Sequence, residues 1–217
     1  MAVQVLYRSR LLESDCLVRV PGVSEAQFDA LTDEDTPYEL LDNVLIMHSP
    51  AKVDHQDLEG FLLVLLRGYV SELGLGRVLG SQAILHLRTG RKVCPDVMFL
   101  ATAREPAIGD EVEGAADLII ELMSRSTRSY DLGDKRQAYH DARTPELWLV
   151  DSARKQVVVD VRVGRAYRRR IVSRGILASR ALPGFFVELE WLWQRPLPRP
   201  LACLQQILQG KTEEKAR

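Results

Sequence analysis

Two acids stand where the pattern of the chain calls for apolar residues. Asp96 follows Pro95 in the β-rich stretch from Lys92 to Ala101, and Glu121 interrupts the run Asp-Leu-Ile-Ile-Glu-Leu-Met at 117–123. An unpartnered carboxylate in a core costs several kcal/mol, so two near one core need a cation or a basic side chain to neutralise them. Oxygen ligands of this kind suit Mg²⁺ or Mn²⁺, ions that bind phosphate oxygens directly, and the chemistry implied is metal-assisted hydrolysis. Asp131, Lys135 and Tyr139 recur at four-residue steps and therefore share one helix face, close to the end of the Glu121 strand. From there Lys135 can reach a nucleophilic water or a phosphate. The structural alternative is a salt-bridge network of both acids with Lys135 or Arg136. Asp131 then complements a helix dipole, Tyr139 packs with its hydroxyl at the rim, and Lys135 is a solvated helix residue.

The elements that must position these residues follow from periodicity. Ser24 to Leu31 gives a short helix with Ser24 as N-cap. Tyr38 to Met47 reads as a hairpin turning at Asp42-Asn43. Leu58, Phe61, Leu62, Leu65, Leu66, Tyr69 and Leu73 recur at three- and four-residue steps, predicting an amphipathic helix over 54–73 that ends at Gly74. Arg77 to Leu87 and Lys92 to Ala101 form a second hairpin about Thr89-Gly90, and Ala116 to Met123 is a strand buried on both faces. A helix over 130–142 and a buried strand over 146–151 come next. Val157, Val159, Val161 and Val163 alternate strictly, turn at Gly164-Arg165 and return over 167–172 as a third hairpin. A Pro-rich link at 196–200 leads to a short amphipathic segment, Leu201 to Leu208, and a charged end expected to fray. The fold class predicted is α/β, with a central sheet, helices and β-hairpins.

At 217 residues, 46% apolar and 27% charged, the chain is sized and composed for one globular domain, which excludes a disordered or membrane-embedded protein. The longest apolar run, Phe61 to Leu66, is far short of the roughly 20 residues that span a bilayer. Cys16, Cys94 and Cys203 are scattered and odd in number, and the first residues carry no secretory pattern, so the expected location is cytoplasmic. A net charge of −1 gives no global basic field, so nucleic-acid affinity requires a local patch. Residues 161–187 supply one, with seven arginines and no Asp or Glu. Arg165, Arg168, Arg169 and Arg170 are its centre. Phosphate-backbone contact is the functional reading, and a charged hairpin edge that resists aggregation is the structural one.

The stretches SEAQFDALTDEDTPYELLD (24–42), SPAKVDHQ (49–56), CPDVMFL (94–100), ADLIIELMSRSTRSYDLGDKRQAY (116–139), PELWLVD (145–151) and LPGFFVELEWLW (182–193) resemble, in order, the signatures of the Uma2 or DUF820 family. That family is similar to the PD-(D/E)XK nucleases, and the resemblance implies a restriction-endonuclease-like core. It implies a central mixed sheet flanked by helices, with acids that hold one or two Mg²⁺ ions and DNA as substrate. By motif, Pro95-Asp96 matches the first acid and Glu121 the second. Met123 occupies the place of the usual lysine, so the resemblance assigns that role to Lys135 as a migrated lysine. Glu39 matches an upstream acid that assists metal binding, and His55 a histidine at the start of the long helix. Val44 replaces the acid of the family's Asp-Gly-Glu hairpin.

The resulting expectations are an N-terminal extension over 1–22, an endonuclease-like domain over 23–193 and a C-terminal segment over 194–217. Asp96 and Glu121, with a carbonyl near Leu122, hold Mg²⁺ (or Mn²⁺). Lys135 adds charge and positions water, while Glu39, His55, Asp131 and Tyr139 support. The alternative functions are a nucleic-acid-binding or assembly protein that keeps the fold without turnover, favoured by Met123 and Val44, and a hydrolase of some other phosphate ester. An exposed edge strand and the apolar C-terminal segment permit a two-fold homodimer.

Overall fold

The computed structural model describes residues 6–7, 10–11, 17–31 and 38–215, with side chains described over 17–31 and 38–210. Most of the expected N-terminal extension, Cys16 with it, and residues 216–217 at the expected frayed end lie outside the described residues. β1 (Leu6–Tyr7) pairs with β2 (Arg10–Leu11), and β3 (Leu17–Pro21) leads into α1 (Glu25–Leu31). Ser24 starts α1 reciprocally: its Oγ accepts the Gln27 N–H while its own N–H donates to Gln27 Oε1. β4 (Tyr38–Leu41) and β5 (Val44–His48) form the first hairpin, with Asp42 and Asn43 both left-handed at φ 50° and 64°. α2 (Val53–Leu73) buries the apolar stripe read from the sequence, and Gly74, at φ 60°, ends it by donating to the Ser71 carbonyl.

Four strands follow: β6 (Gly76–Gly80), β7 (Leu85–Arg88), β8 (Arg91–Val93) and β9 (Val97–Ala101). The second hairpin is therefore only β7 with β8, and each β-rich stretch of the sequence divides into two strands. In the second stretch the break falls at Pro95, which has no N–H to give a ladder, so Asp96 sits between strands rather than on one. β10 (Val112–Glu113) and β11 (Leu118–Leu122) precede a helical crossover. The crossover begins earlier than expected, as α3 (Arg128–Tyr130), widens into a π turn over Asp131–Lys135, and continues as α4 (Arg136–Asp141). β12 (Glu146–Asp151), β13 (Gln156–Val163) and β14 (Ala166–Val172) then add antiparallel strands. β15 (Ile176–Ala178) pairs with β16 (Phe186–Glu188), and α5 (Leu189–Trp193) and α6 (Pro200–Lys215) complete the order. α6 runs well beyond the expected segment. Gly68 of α2 leaves room for Leu204, and Cys203 and Ile207 are buried, which anchors the longer helix.

The central sheet has the order β14-β13-β12-β11-β9-β6 and is mixed, with β11 and β12 parallel and every other pair antiparallel. A parallel pair needs a crossover, which α3, the π turn and α4 provide. The second sheet, β10-β7-β8-β4-β5-β3, gathers the first two hairpins, and the third, β13–β14, forms an edge of the central sheet. One apolar cluster joins Leu118, Ile120 and Leu122 of β11 to α2 and α6. The opposite face, Ile119 and Leu149 among it, packs on Tyr130, Ala138 and Tyr139 of the crossover and on Ile46, Leu85 and Val93 of the second sheet. This is the expected α/β architecture, a mixed sheet flanked by helices with hairpins beside it. Among the described residues no helix is long and apolar enough to cross a membrane.

Candidate active site

Strand alternation turns Glu121 to the same face as Ile119, beneath the crossover and the second sheet. There Lys135 Nζ lies 2.8 Å from Glu121 Oε1 and 2.8 Å from Glu39 Oε1, and it donates to the Cys94 carbonyl at 3.2 Å. The Tyr139 hydroxyl donates a short hydrogen bond to the same Glu121 oxygen. Glu39 also meets His48 Nε2 at 3.0 Å and accepts the Cys94 N–H at 2.9 Å. Glu39, Glu121, Lys135 and Tyr139 are all buried.

Asp96 approaches from β9. The antiparallel register pairs Leu118 with Phe99, Ile119 with Met98 and Ile120 with Val97, and ends just short of Asp96. Where that ladder stops, Asp96 Oδ2 accepts the Leu122 N–H at 2.6 Å. His55, in the first turn of α2, brings Nε2 to 3.1 Å from the Leu122 carbonyl and 3.5 Å from Asp96 Oδ1. Glu59, one turn further, is fixed by Ser81 Oγ at 2.7 Å and Gln56 Nε2 at 2.9 Å. Ligand atoms of His55, Glu59 and Asp96 all lie within 4.8 Å of one another. The group opens on a cleft of about 1160 Å³, which Lys52, Arg67, Arg125 and Arg195 also line.

Charge is unevenly distributed here. Burial holds the Glu121 carboxyl well above the usual carboxylate range, Lys135 opposes this, and Asp96, Asp131 and Glu39 add to it by repulsion. Burial works to lower the Lys135 pKa, but Glu121 and Glu39 outweigh it and keep the ammonium charged. Glu39 is buried too, yet Lys135 and His48 drive it below the ordinary value. Asp131 is pushed up to about 6 by burial, against Lys135 and a hydrogen bond from Thr127. Burial opposes a charged His55, but Asp96, with Glu59 and the Leu122 carbonyl, more than compensates, so its pKa is raised.

The fold thus brings Glu39, Asp96, Glu121, Lys135, Tyr139 and His55 into one constellation, with Asp131 on the same cleft. The arginine tract is elsewhere. Arg168, Arg169 and Arg170 lie on β14 and Arg165 on its turn, with β12 and β13 between them and β11. Arg169 pairs with the buried Asp160 at 3.3 Å, which also holds Arg136 and His140. Two participants were not found from the sequence. Glu59 carries a signal in hindsight, a carboxylate inside an apolar helical stripe four residues after His55. His48 carries none, because its link to Glu39 depends on the β4–β5 pairing.

Set against known families, residues 25–190 match the Uma2 family, described as "Putative restriction endonuclease". The chain belongs to the Uma2 family. The Uma2 match contains every residue of the constellation and stops before α6. Among solved structures, the crystal structure of "a putative nuclease belonging to DUF820" from Anabaena variabilis is similar, with a TM-score of 0.70 at 13% identity, over 79% of this chain and 97% of that one. At that identity the likeness is one of fold. No curated protein matches the chain. The Uma2 site fits a divalent cation on its own chemistry. Ligand atoms of His55, Glu59 and Asp96 converge, and the Leu122 carbonyl lies 3.1 Å from His55 Nε2, so an imidazole and hard oxygen donors face one point. The acids also repel one another, which a cation would relieve.

Proposed function

We propose that this Uma2 protein is a Mg²⁺- or Mn²⁺-dependent endonuclease that hydrolyses phosphodiester bonds of DNA. One observation carries the reading: Asp96, just ahead of β9, accepts the N–H of Leu122, the residue after Glu121 on the adjacent strand, and a buried lysine contacts Glu121. Asp96, Glu121 and the Leu122 carbonyl are the residues that would hold the cation, and Glu39 anchors the lysine from the second sheet. A bound divalent cation supplies Lewis acidity and lowers the pKa of water from about 15.7 toward about 7. Lys135 contributes a fixed positive charge beside Glu121 that offsets negative charge developing on a phosphate in the cleft. Tyr139 and Lys135 together fix one Glu121 oxygen, so that the carboxylate needs no reorganisation. Lys52, Arg67, Arg125 and Arg195 along the cleft are of the right sign for a phosphate backbone, which carries affinity without sequence information.

Supercoiled plasmid and single-stranded DNA, incubated with the purified chain in Mg²⁺, Mn²⁺ or EDTA, test the reading. Cation-dependent nicking is expected, abolished by Asp96→Ala and by Glu121→Ala. Equal nicking by wild type and both variants would trace the activity to a contaminant. DNA retention in EDTA with no cleavage in either metal would establish a binding protein instead, the reading that Met123 and Val44 favour.

A further inference from the structure

Resting on that reading, we infer that the cation is bound through an imidazole nitrogen as well as through oxygens, with His55 and Glu59 joining Asp96, Glu121 and the Leu122 carbonyl as its ligands. The site then takes a first-row transition-metal ion, Mn²⁺ included, in preference to Mg²⁺.

The geometry around His55 carries this. Its Nε2 is 3.1 Å from the Leu122 carbonyl and 3.5 Å from Asp96 Oδ1. An ion bonded at about 2.1 Å to neighbouring ligands separates them by roughly 3.0 Å in an octahedron and 3.4 Å in a tetrahedron. Both separations leave room for one ion to be shared, in place of the hydrogen bond that now joins Nε2 to the carbonyl. Without a cation, the Nε2 proton occupies the space between the same three atoms. Glu59 is a buried carboxylate one helical turn away, on the same face of α2, and Ser81 and Gln56 fix both of its oxygens. Glu121 is differently placed. Lys135 and Tyr139 both claim its Oε1, so its part is to hold the lysine as much as to hold a cation.

The choice of ion follows from ligand character. Mg²⁺ demands oxygen ligands and gives up its waters reluctantly, whereas imidazole binds first-row transition metals well. Replacing an oxygen donor by His55 Nε2 tilts the site away from Mg²⁺ without altering the rest of the cleft.

The test uses the full chain loaded with one equivalent of Mn²⁺ and examined by electron spin-echo envelope modulation. Coupling to one directly bound ¹⁴N is expected in the wild type and none in His55→Gln. Calorimetric titration is expected to show Mn²⁺ affinity falling about tenfold or more in His55→Gln, with Mg²⁺ affinity changed far less. The variant also serves as a control for location, because His86 lies beside Glu111 and Glu113 and could offer nitrogen elsewhere. Coupling that survives His55→Gln overturns the assignment. Mn²⁺ bound with no nitrogen coupling overturns it too, yet leaves an oxygen-liganded nuclease intact. No binding of Mn²⁺ at all sinks both the inference and the metal-dependent function on which it rests.

Discussion

Lys135 lies between two buried carboxylates, and the energetics of such a position are lopsided. A buried ion pair gains little over a well-packed apolar substitute, but removing one partner leaves the other charged and unanswered. Glu146 shows the contrast within the same molecule. It is fully buried, but its carboxylate accepts from Trp148 Nε1, Ser179 Oγ and the N–H groups of Arg180 and Ala181, so neutral donors satisfy it. Glu121 instead depends on one ammonium and one phenol. Lys135→Met is expected to cost about 3–5 kcal/mol, the amount typical of a broken buried pair. Urea denaturation in EDTA checks this, and an unchanged midpoint would mean that the lysine is not committed to Glu39 and Glu121. If Lys135 is catalytic, the fraction of the variant that remains folded should also fail to nick plasmid.

The crossover between β11 and β12 is the element that assembles the site. Its π turn widens the backbone over Asp131–Lys135, a local irregularity often found at functional sites. Asp131 is buried there, with its pKa pushed up to about 6 from an ordinary 3.8. A carboxyl whose folded-state pKa exceeds its unfolded value contributes stability that is complete below the unfolded pKa and is lost as pH rises through the folded one. Relative to Asp131→Asn, the wild type should therefore lose stability between about pH 4 and pH 6.5. A tenfold difference in proton affinity between the folded and unfolded chain corresponds to about 1.4 kcal/mol, so the loss should level off at about 1–3 kcal/mol. Lowered acids such as Asp151 and Asp160 give the opposite trend, but they are present in both proteins and cancel. Denaturant titrations across that range in EDTA measure the difference, and a flat difference would refute a strained Asp131.

At the scale of the whole molecule, the two basic features occupy different places. The cleft carries Lys52, Arg67, Arg125 and Arg195 beside the acids, whereas Arg168 and Arg170 are exposed on the outermost strand of the central sheet. Arg169 is partly committed to Asp160, so it is the weaker candidate for a phosphate. If DNA crosses both regions, Arg168→Ala with Arg170→Ala should lower the slope of log K against log salt by about 2, and binding should weaken alike for all sequences. Fluorescence anisotropy at several salt concentrations gives the slope. An unchanged slope would confine the DNA to the cleft and leave β14 as a charged edge that discourages sheet-to-sheet association.

The sequence by itself determined the elements whose signals are local. The α2 stripe, the Asp42-Asn43 turn and the buried run around Glu121 are legible because side-chain period and turn chemistry act over a few residues. It also marked Asp96 and Glu121, since charge among apolar neighbours is visible in one dimension, and Lys135 by its four-residue spacing with Asp131 and Tyr139, and the family resemblance ordered them. The tertiary structure alone decided which strands share a sheet. Arg77 to Leu87 and Lys92 to Ala101 each divide between two sheets because partners far along the chain compete for them. The same long-range pairing turned Glu39 toward Lys135 with His48 beside it, and seated α2 so that His55 and Glu59 meet Asp96. Periodicity tells which face of an element is polar, but what that face meets depends on contacts that no local window contains.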